Sequence, residues 1–173
     1  MAKDYLIDIY YVDDDDLYLN YFRKRFQLDL PYNLYTYNSG DVFIRHFIQD
    51  CKKRSNQKIV ILDYLLKSGD KPNSKTVTEL LPIIKHHNAD TEVLILSRSE
   101  NLNIKPTAGN YTPEAFIKKD DNAFDHISNA IKRLAAKYEL SRRKQQSRDA
   151  TRIFVFVMIA AVLASFFMYF FNN

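Results

Sequence analysis

Apolar residues along this chain gather into short runs, each followed by a stretch in which they recur every three or four positions. Tyr5 to Val12 reads as a first strand, after which Tyr18, Phe22 and Phe26 repeat at one-turn spacing, as a surface helix packing on a sheet requires. Asp15 and Asp16 suit the start of that helix. Leu34 to Tyr37 predicts a second strand, broken by Asn38-Ser39-Gly40, and Val42 to Lys53 returns to helical period with Phe43, Phe47 and Cys51 on one face. Ile59 to Asp63 is short and β-branched, so a third strand is expected there. A polar loop, Lys67 to Ser74, leads to a helix over about 75–86 with Val77, Leu80, Leu81 and Ile84 inward, and Pro82 predicts a kink or a shortened helix.

Thr91 to Leu96 predicts the fourth strand. Two prolines and Gly109 in the segment from Ser97 to Pro113 predict a short or distorted helix. Ala115 to Lys118 is the fifth strand, and Phe124, Ile127, Ile131, Leu134 and Tyr138 mark the last helix of the domain. Successive strand-then-helix units mean a parallel sheet, because parallel neighbours need right-handed helical crossovers. The expected fold class is therefore α/β, a doubly wound five-stranded parallel sheet.

The strands also end alike. Val12 runs into Asp13-Asp14, the third strand into Asp63, the fourth into Ser97 and the fifth into Lys118-Lys119. One rim of the sheet thus carries three carboxylates, a hydroxyl and an ammonium, on the side where open α/β sheets place their sites. Two carboxylates about 4 Å apart repel by roughly 4 kcal/mol at an effective dielectric near 20. A hard divalent cation such as Mg²⁺, which takes carboxylates, a carbonyl and waters, is the natural partner at neutral pH. Metal, carboxylate, hydroxyl and lysine together suit phosphoryl transfer.

A second feature is the far end, where Ile153 to Phe171 contains no charged residue. As a helix those 19 residues reach about 28 Å, close to the roughly 30 Å hydrocarbon core of a bilayer. A transmembrane helix over 153–171 is expected, preceded by a basic juxtamembrane helix or linker over 139–152 that carries Arg142, Arg143, Lys144, Arg148 and Arg152. That basic flank should stay cytoplasmic, giving a single-pass membrane protein with the domain of residues 1–138 in the cytoplasm and anionic lipid as a partner. Ala160, Ala161, Ala164 and Ser165 give small-residue pairs that would let two tails pack as a homodimer.

Composition changes this picture little. An apolar content of 46% in 173 residues is enough for one packed core, and the net charge of +4 hides acids crowded at the start and bases before the tail. The bases beside the apolar run are explained by topology, so no nucleic-acid partner is expected. One cysteine, Cys51, excludes a disulfide framework and reads as a core thiol. The first residues are too polar for a signal peptide. His46, His86, His87 and His126 have no metal-ligand spacing to the rim, and the many tyrosines read as packing residues.

Over about residues 5–138 the chain resembles the receiver domain of two-component response regulators, a flavodoxin-like fold. The resemblance rests on Tyr-Val-Asp-Asp at 11–14, Ile-Leu-Asp at 61–63, Leu-Ser at 96–97 and Ala-Phe-Ile-Lys-Lys-Asp at 115–120. It implies that Asp63 is the phosphoacceptor and that Mg²⁺ is held by Asp14 directly, by Asp13 mainly through water, by Asp63 itself and by the backbone carbonyl of Leu65. Ser97 would bind the phosphoryl group, Lys119 rather than Lys118 would contact it, and Ser97 with Phe116 would form the conformational switch. A sensor histidine kinase or phosphotransfer protein would be the partner, and no catalytic output module is implied. The chain departs from the family pattern at Asp120, where a cis-proline usually follows the lysine, at Lys67, where a proline is common, and at Arg98, where a small residue is usual. Leu65 cannot orient a hydrolytic water through its side chain, which predicts a long-lived phosphoaspartate.

Two other classes fit parts of the pattern. A pseudo-receiver would serve as a membrane scaffold without phosphate turnover, a reading favoured by Arg98 and the irregular 97–113 segment. A phosphohydrolase of the haloacid-dehalogenase type also uses an aspartate nucleophile, a hydroxyl, a lysine and an acid pair. Its nucleophile, however, closes the first strand and its acid pair comes last.

Overall fold

In a computed structural model of the chain, residues 6–53, 56–66, 75–98 and 111–171 are described, apart from the side chains of 150, 161–162, 164–166 and 169–170. The chain divides into two compact units, Met1–Ala135 and Ala136–Asn173.

The first unit is built on five parallel strands, β1 (Ile7–Val12), β2 (Tyr32–Tyr37), β3 (Gln57–Asp63), β4 (Glu92–Ser97) and β5 (Ala115–Lys118), in the order β2-β1-β3-β4-β5. Helices α1 (Asp16–Arg25), α2 (Gly40–Lys53) and α3 (Val77–His87) follow β1, β2 and β3, and α4 (Ala123–Phe171) follows β5. This is the doubly wound arrangement expected from the strand-then-helix succession. The order reverses at β1, whose neighbours are β2 on one side and β3 on the other. Ligands in such sheets sit at that switch point, outside the carboxyl ends of the strands.

Burial follows from sheet position. Every residue of β1 and β3 is buried, as near-continuous apolar strands covered on both faces must be. Alternation sends Ile7, Ile9 and Tyr11 into a core with Leu19, Phe22, Ile127 and Ile131, while Tyr10 and Val12 face Phe43, Phe47, Leu80 and Ile84 on the opposite side. Cys51 is half-buried at the edge of this second core, where burial pushes its thiol pKa up.

Two breakers fall within helices. Gly40 opens α2 rather than ending the turn before it, and a Cβ there would meet Leu80 Cδ1 at 3.0 Å, so the residue is small where α2 approaches α3. Pro82 lies inside α3, which continues past it to His87 as one element of 11 residues. Its N-terminus is held by Glu79, whose carboxylate accepts from the Thr76 N–H at 2.9 Å. The expected loop over 67–74 and most of the expected distorted helix between 97 and 113 lie outside the described residues.

Taken by itself, the second unit is helical, with Arg143 paired to Glu139 one turn earlier. Among the described residues no helix is long and apolar enough to cross a membrane, so the structure does not support the expected span over 153–171.

Candidate functional site

The site forms where β1 and β3 end side by side, paired Val12 to Leu62. The residue after each of those partners is an aspartate, so the parallel register alone brings Asp13 and Asp63 together. Ligand oxygens of Asp13, Asp14 and Asp63 lie within 4.8 Å of one another, the first and last buried and Asp14 exposed. They open into a cavity of about 350 Å³ lined also by Asp15, Leu65, Arg98 and Lys119.

Lys119 reaches this point because β5 pairs with β4, and its backbone N–H donates to Ser97 O at 2.7 Å. Its Nζ donates to Asp13 Oδ2 at 2.5 Å and to Asp63 Oδ1 at 2.9 Å, with the lysine side chain only 2% exposed. The same ammonium lies 4.0 Å from the centre of the Tyr18 ring. Lys119, and not Lys118, is therefore the lysine of the cavity.

Both oxygens of Asp13 are already engaged: Oδ2 also accepts from the buried Tyr11 hydroxyl, and Oδ1 accepts from the Asp15 N–H at 3.0 Å. Asp63 keeps a second partner in the Leu65 N–H, which donates to Oδ2 at 3.1 Å. Burial pushes the Asp63 pKa above the ordinary carboxylate range, the Lys119 hydrogen bond pulls it back, and the Asp13 charge pushes it up again; the net direction is upward. Burial, with Asp13 second, likewise raises the Tyr11 pKa, which keeps its hydroxyl a donor.

Formal charge decides what the cavity wants. Among the described residues, three carboxylates against one ammonium leave two negative charges, while Arg98 and Asp15 offset each other through an ion pair at 3.3 Å. All the carboxylate donors are hard oxygens, so the set fits Mg²⁺ in kind and in charge.

The remaining expected residues have mixed placements. Leu65 lines the cavity and is 57% exposed. Ser97 is buried at the end of β4 and Phe116 is exposed on β5, and neither is among the described residues that line the cavity. Sequence reasoning missed Tyr11, Tyr18 and Asp15 as parts of the site. Tyr11 carried one signal, two-residue spacing from Asp13, which puts both on the same side of an extended chain.

No family model and no curated protein matches the sequence. Solved structures do resemble it. They include a response regulator receiver domain protein from Clostridium thermocellum at 19% identity, TM-score 0.59, over 78% of this chain and 98% of that one. The signal receiver domain of an HD domain-containing protein from Pseudomonas fluorescens Pf-5 has 19% identity and TM-score 0.57, over 78% of this chain and 97% of its own. A CheY-like receiver domain protein from Methanospirillum hungatei JF-1 has 16% identity and TM-score 0.58, over 78% and 98%. At such identities the likeness establishes the fold: the first unit has the receiver fold.

Proposed function

We propose that the chain is a phosphoacceptor receiver of a His-Asp phosphorelay, phosphorylated on Asp63 by a sensor histidine kinase or a phosphotransfer protein. The observation that carries this reading is the meeting of Asp13, Asp14, Asp63 and Lys119, from three strand ends, around one cavity on a receiver fold. A carboxylate oxygen of Asp63 attacks the phosphorus of a phosphohistidine. The new O–P bond forms as the P–N bond breaks, and its electron pair stays with the imidazole, which takes a proton from solvent. Lys119, already on Asp63 Oδ1, offsets charge on the phosphoryl oxygens, and Ser97 and Phe116 report the new state to the outer face. Asp14, Asp63 and the Leu65 carbonyl would hold Mg²⁺ directly and Asp13 mainly through water, and the ion would supply further charge neutralisation when bound. The chain catalyses nothing beyond its own phosphorylation and dephosphorylation.

The reading includes a membrane tether over residues 153–171. Its support is the uncharged run in the sequence, together with the seven consecutive side chains Ile153 to Ile159, each 48% to 73% exposed. Seven residues circle a helix almost twice, so apolar surface on every side needs a cover, and a bilayer supplies one. The basic residues before it keep the receiver cytoplasmic and meet anionic lipid.

Labelling by a small phosphodonor tests the function. Mg²⁺-dependent label on the wild-type chain, lost in Asp63→Asn, is expected; equal labelling of both refutes the acceptor. A chain that neither takes label nor binds Mg²⁺ is a scaffold instead. Release of the full chain from membranes by alkaline carbonate would refute the tether.

A further inference from the structure

Among the described residues lining the cavity, Arg98 and Asp15 are the two that the phosphoacceptor chemistry above leaves unused. They lie 83 positions apart and meet at 3.3 Å, Arg98 Nη2 donating to Asp15 Oδ2. The other Asp15 oxygen is committed to the start of α1, accepting from the Leu17 and Tyr18 N–H groups at 3.0 and 3.1 Å. Oδ2 is therefore free to lose its partner without uncapping the helix. The pair is partly exposed, with the arginine side chain 65% accessible, so it is held weakly. Both residues line the same cavity as Asp63.

We infer that Arg98 is a phosphoryl-binding residue held in reserve by Asp15, and that phosphorylation moves its guanidinium from the Asp15 carboxylate to the phosphoryl oxygens. The inference rests on the phosphoacceptor reading of Asp63. Its driving force is a difference between partners. A single exposed carboxylate oxygen gives Arg98 one contact, whereas a phosphoryl group near −2 presents several oxygens that match the guanidinium fork. Of the two basic residues among the described lining, Lys119 is already shared between Asp13 and Asp63, so Arg98 is the one whose existing pairing costs least to break. Hydrolysis returns Arg98 to Asp15: a water oxygen attacks phosphorus, the O–P bond to Asp63 breaks, the carboxylate is regenerated and inorganic phosphate leaves. A guanidinium seated on those oxygens shields phosphorus from water and slows that step.

The test uses the full chain with Mg²⁺ and beryllofluoride, a stable mimic of the phosphoryl group on an aspartate, followed by the decay of Asp63 labelled with a small phosphodonor. Arg98→Ala should bind beryllofluoride roughly tenfold more weakly and lose its label several-fold faster, the effect of removing one charge-assisted contact. Arg98→Lys should recover part of both, because charge remains and the fork does not. Asp15→Asn, which keeps a good capping side chain but releases Arg98, should bind beryllofluoride more tightly than wild type. If Arg98 only obstructs the cavity, Arg98→Ala binds more tightly, and the inference falls. It falls equally if Arg98→Ala, or Asp15→Asn, leaves the affinity unchanged. A wild-type chain that takes neither label nor beryllofluoride overturns the phosphoacceptor reading and this inference together, whereas wild-type binding unaffected by Arg98→Ala overturns the exchange alone.

Discussion

Replacing Lys119 with methionine isolates the electrostatic centre of the site, because methionine fills most of the lysine's volume and carries no charge. The ammonium lies 2.5 Å from Asp13 Oδ2 and 2.9 Å from Asp63 Oδ1, and the three side chains are 2%, 1% and 8% exposed. Breaking a buried pair by removing one partner costs about 3 to 5 kcal/mol. The residual contacts limit the damage. Asp13 keeps the Tyr11 hydroxyl and the Asp15 N–H, Asp63 keeps the Leu65 N–H, and Asp63 is already biased toward its protonated form by burial. A loss of about 3 kcal/mol at neutral pH without Mg²⁺ is therefore expected. The chain has no tryptophan, so urea unfolding is best followed by circular dichroism in a detergent that keeps the full chain dispersed. The mechanism is then checked by a double-mutant cycle. Once Asp63→Asn has removed one of the two buried carboxylates, the same lysine substitution should cost about 1 to 3 kcal/mol less. A loss below about 1 kcal/mol for Lys119→Met alone, or strict additivity with Asp63→Asn, would refute the claim that this lysine holds two buried carboxylates together.

Other expectations follow from the same contacts. Mg²⁺ should stabilise wild type by RT ln(1 + [Mg²⁺]/Kd), about 2.7 kcal/mol at a hundredfold excess over Kd, and Asp14→Ala should remove most of that gain in a thermal melt; an undiminished gain would mean the metal binds elsewhere. Tyr11→Phe leaves Asp13 Oδ2 with Lys119 alone, so it should cost about 1 to 2 kcal/mol of stability in urea titration, and a neutral result would show the hydroxyl is dispensable. Glu79 is held below its ordinary pKa, first by the Thr76 N–H. Its charged form is the one the fold favours, so the stability it adds is present above the ordinary carboxylate range and lost as pH falls through its lowered pKa. Glu79→Gln should accordingly melt below wild type at neutral pH and match it in acid; a gap independent of pH would exclude the capping charge as the cause.

How much of this was legible beforehand depends on which interaction each feature needs. A parallel strand buried on both faces is apolar along most of its length, so β3 and β4 each carry an unbroken apolar run, and the polar residue that stops each run lies at the rim. That reasoning located Asp13, Asp63 and the Lys118-Lys119 pair without any coordinates, and the family resemblance picked Lys119 from the pair. It could not say why position 40 is a glycine, because the side chain it makes room for is a leucine 40 residues away. Nor could it find Tyr18 beneath the Lys119 ammonium or Arg98 against Asp15, since each pair joins elements about 80 to 100 residues apart through side chains alone.

The sequence by itself determined the kind of sheet, the direction of its strands and the chemistry along one rim, because hydrophobic burial is read from local period. Only the tertiary structure decided which tyrosines meet Asp13 and the Lys119 ammonium and which carboxylate holds Arg98. Those choices turn on distances of a few ångströms between chain segments whose separation carries no periodic signal.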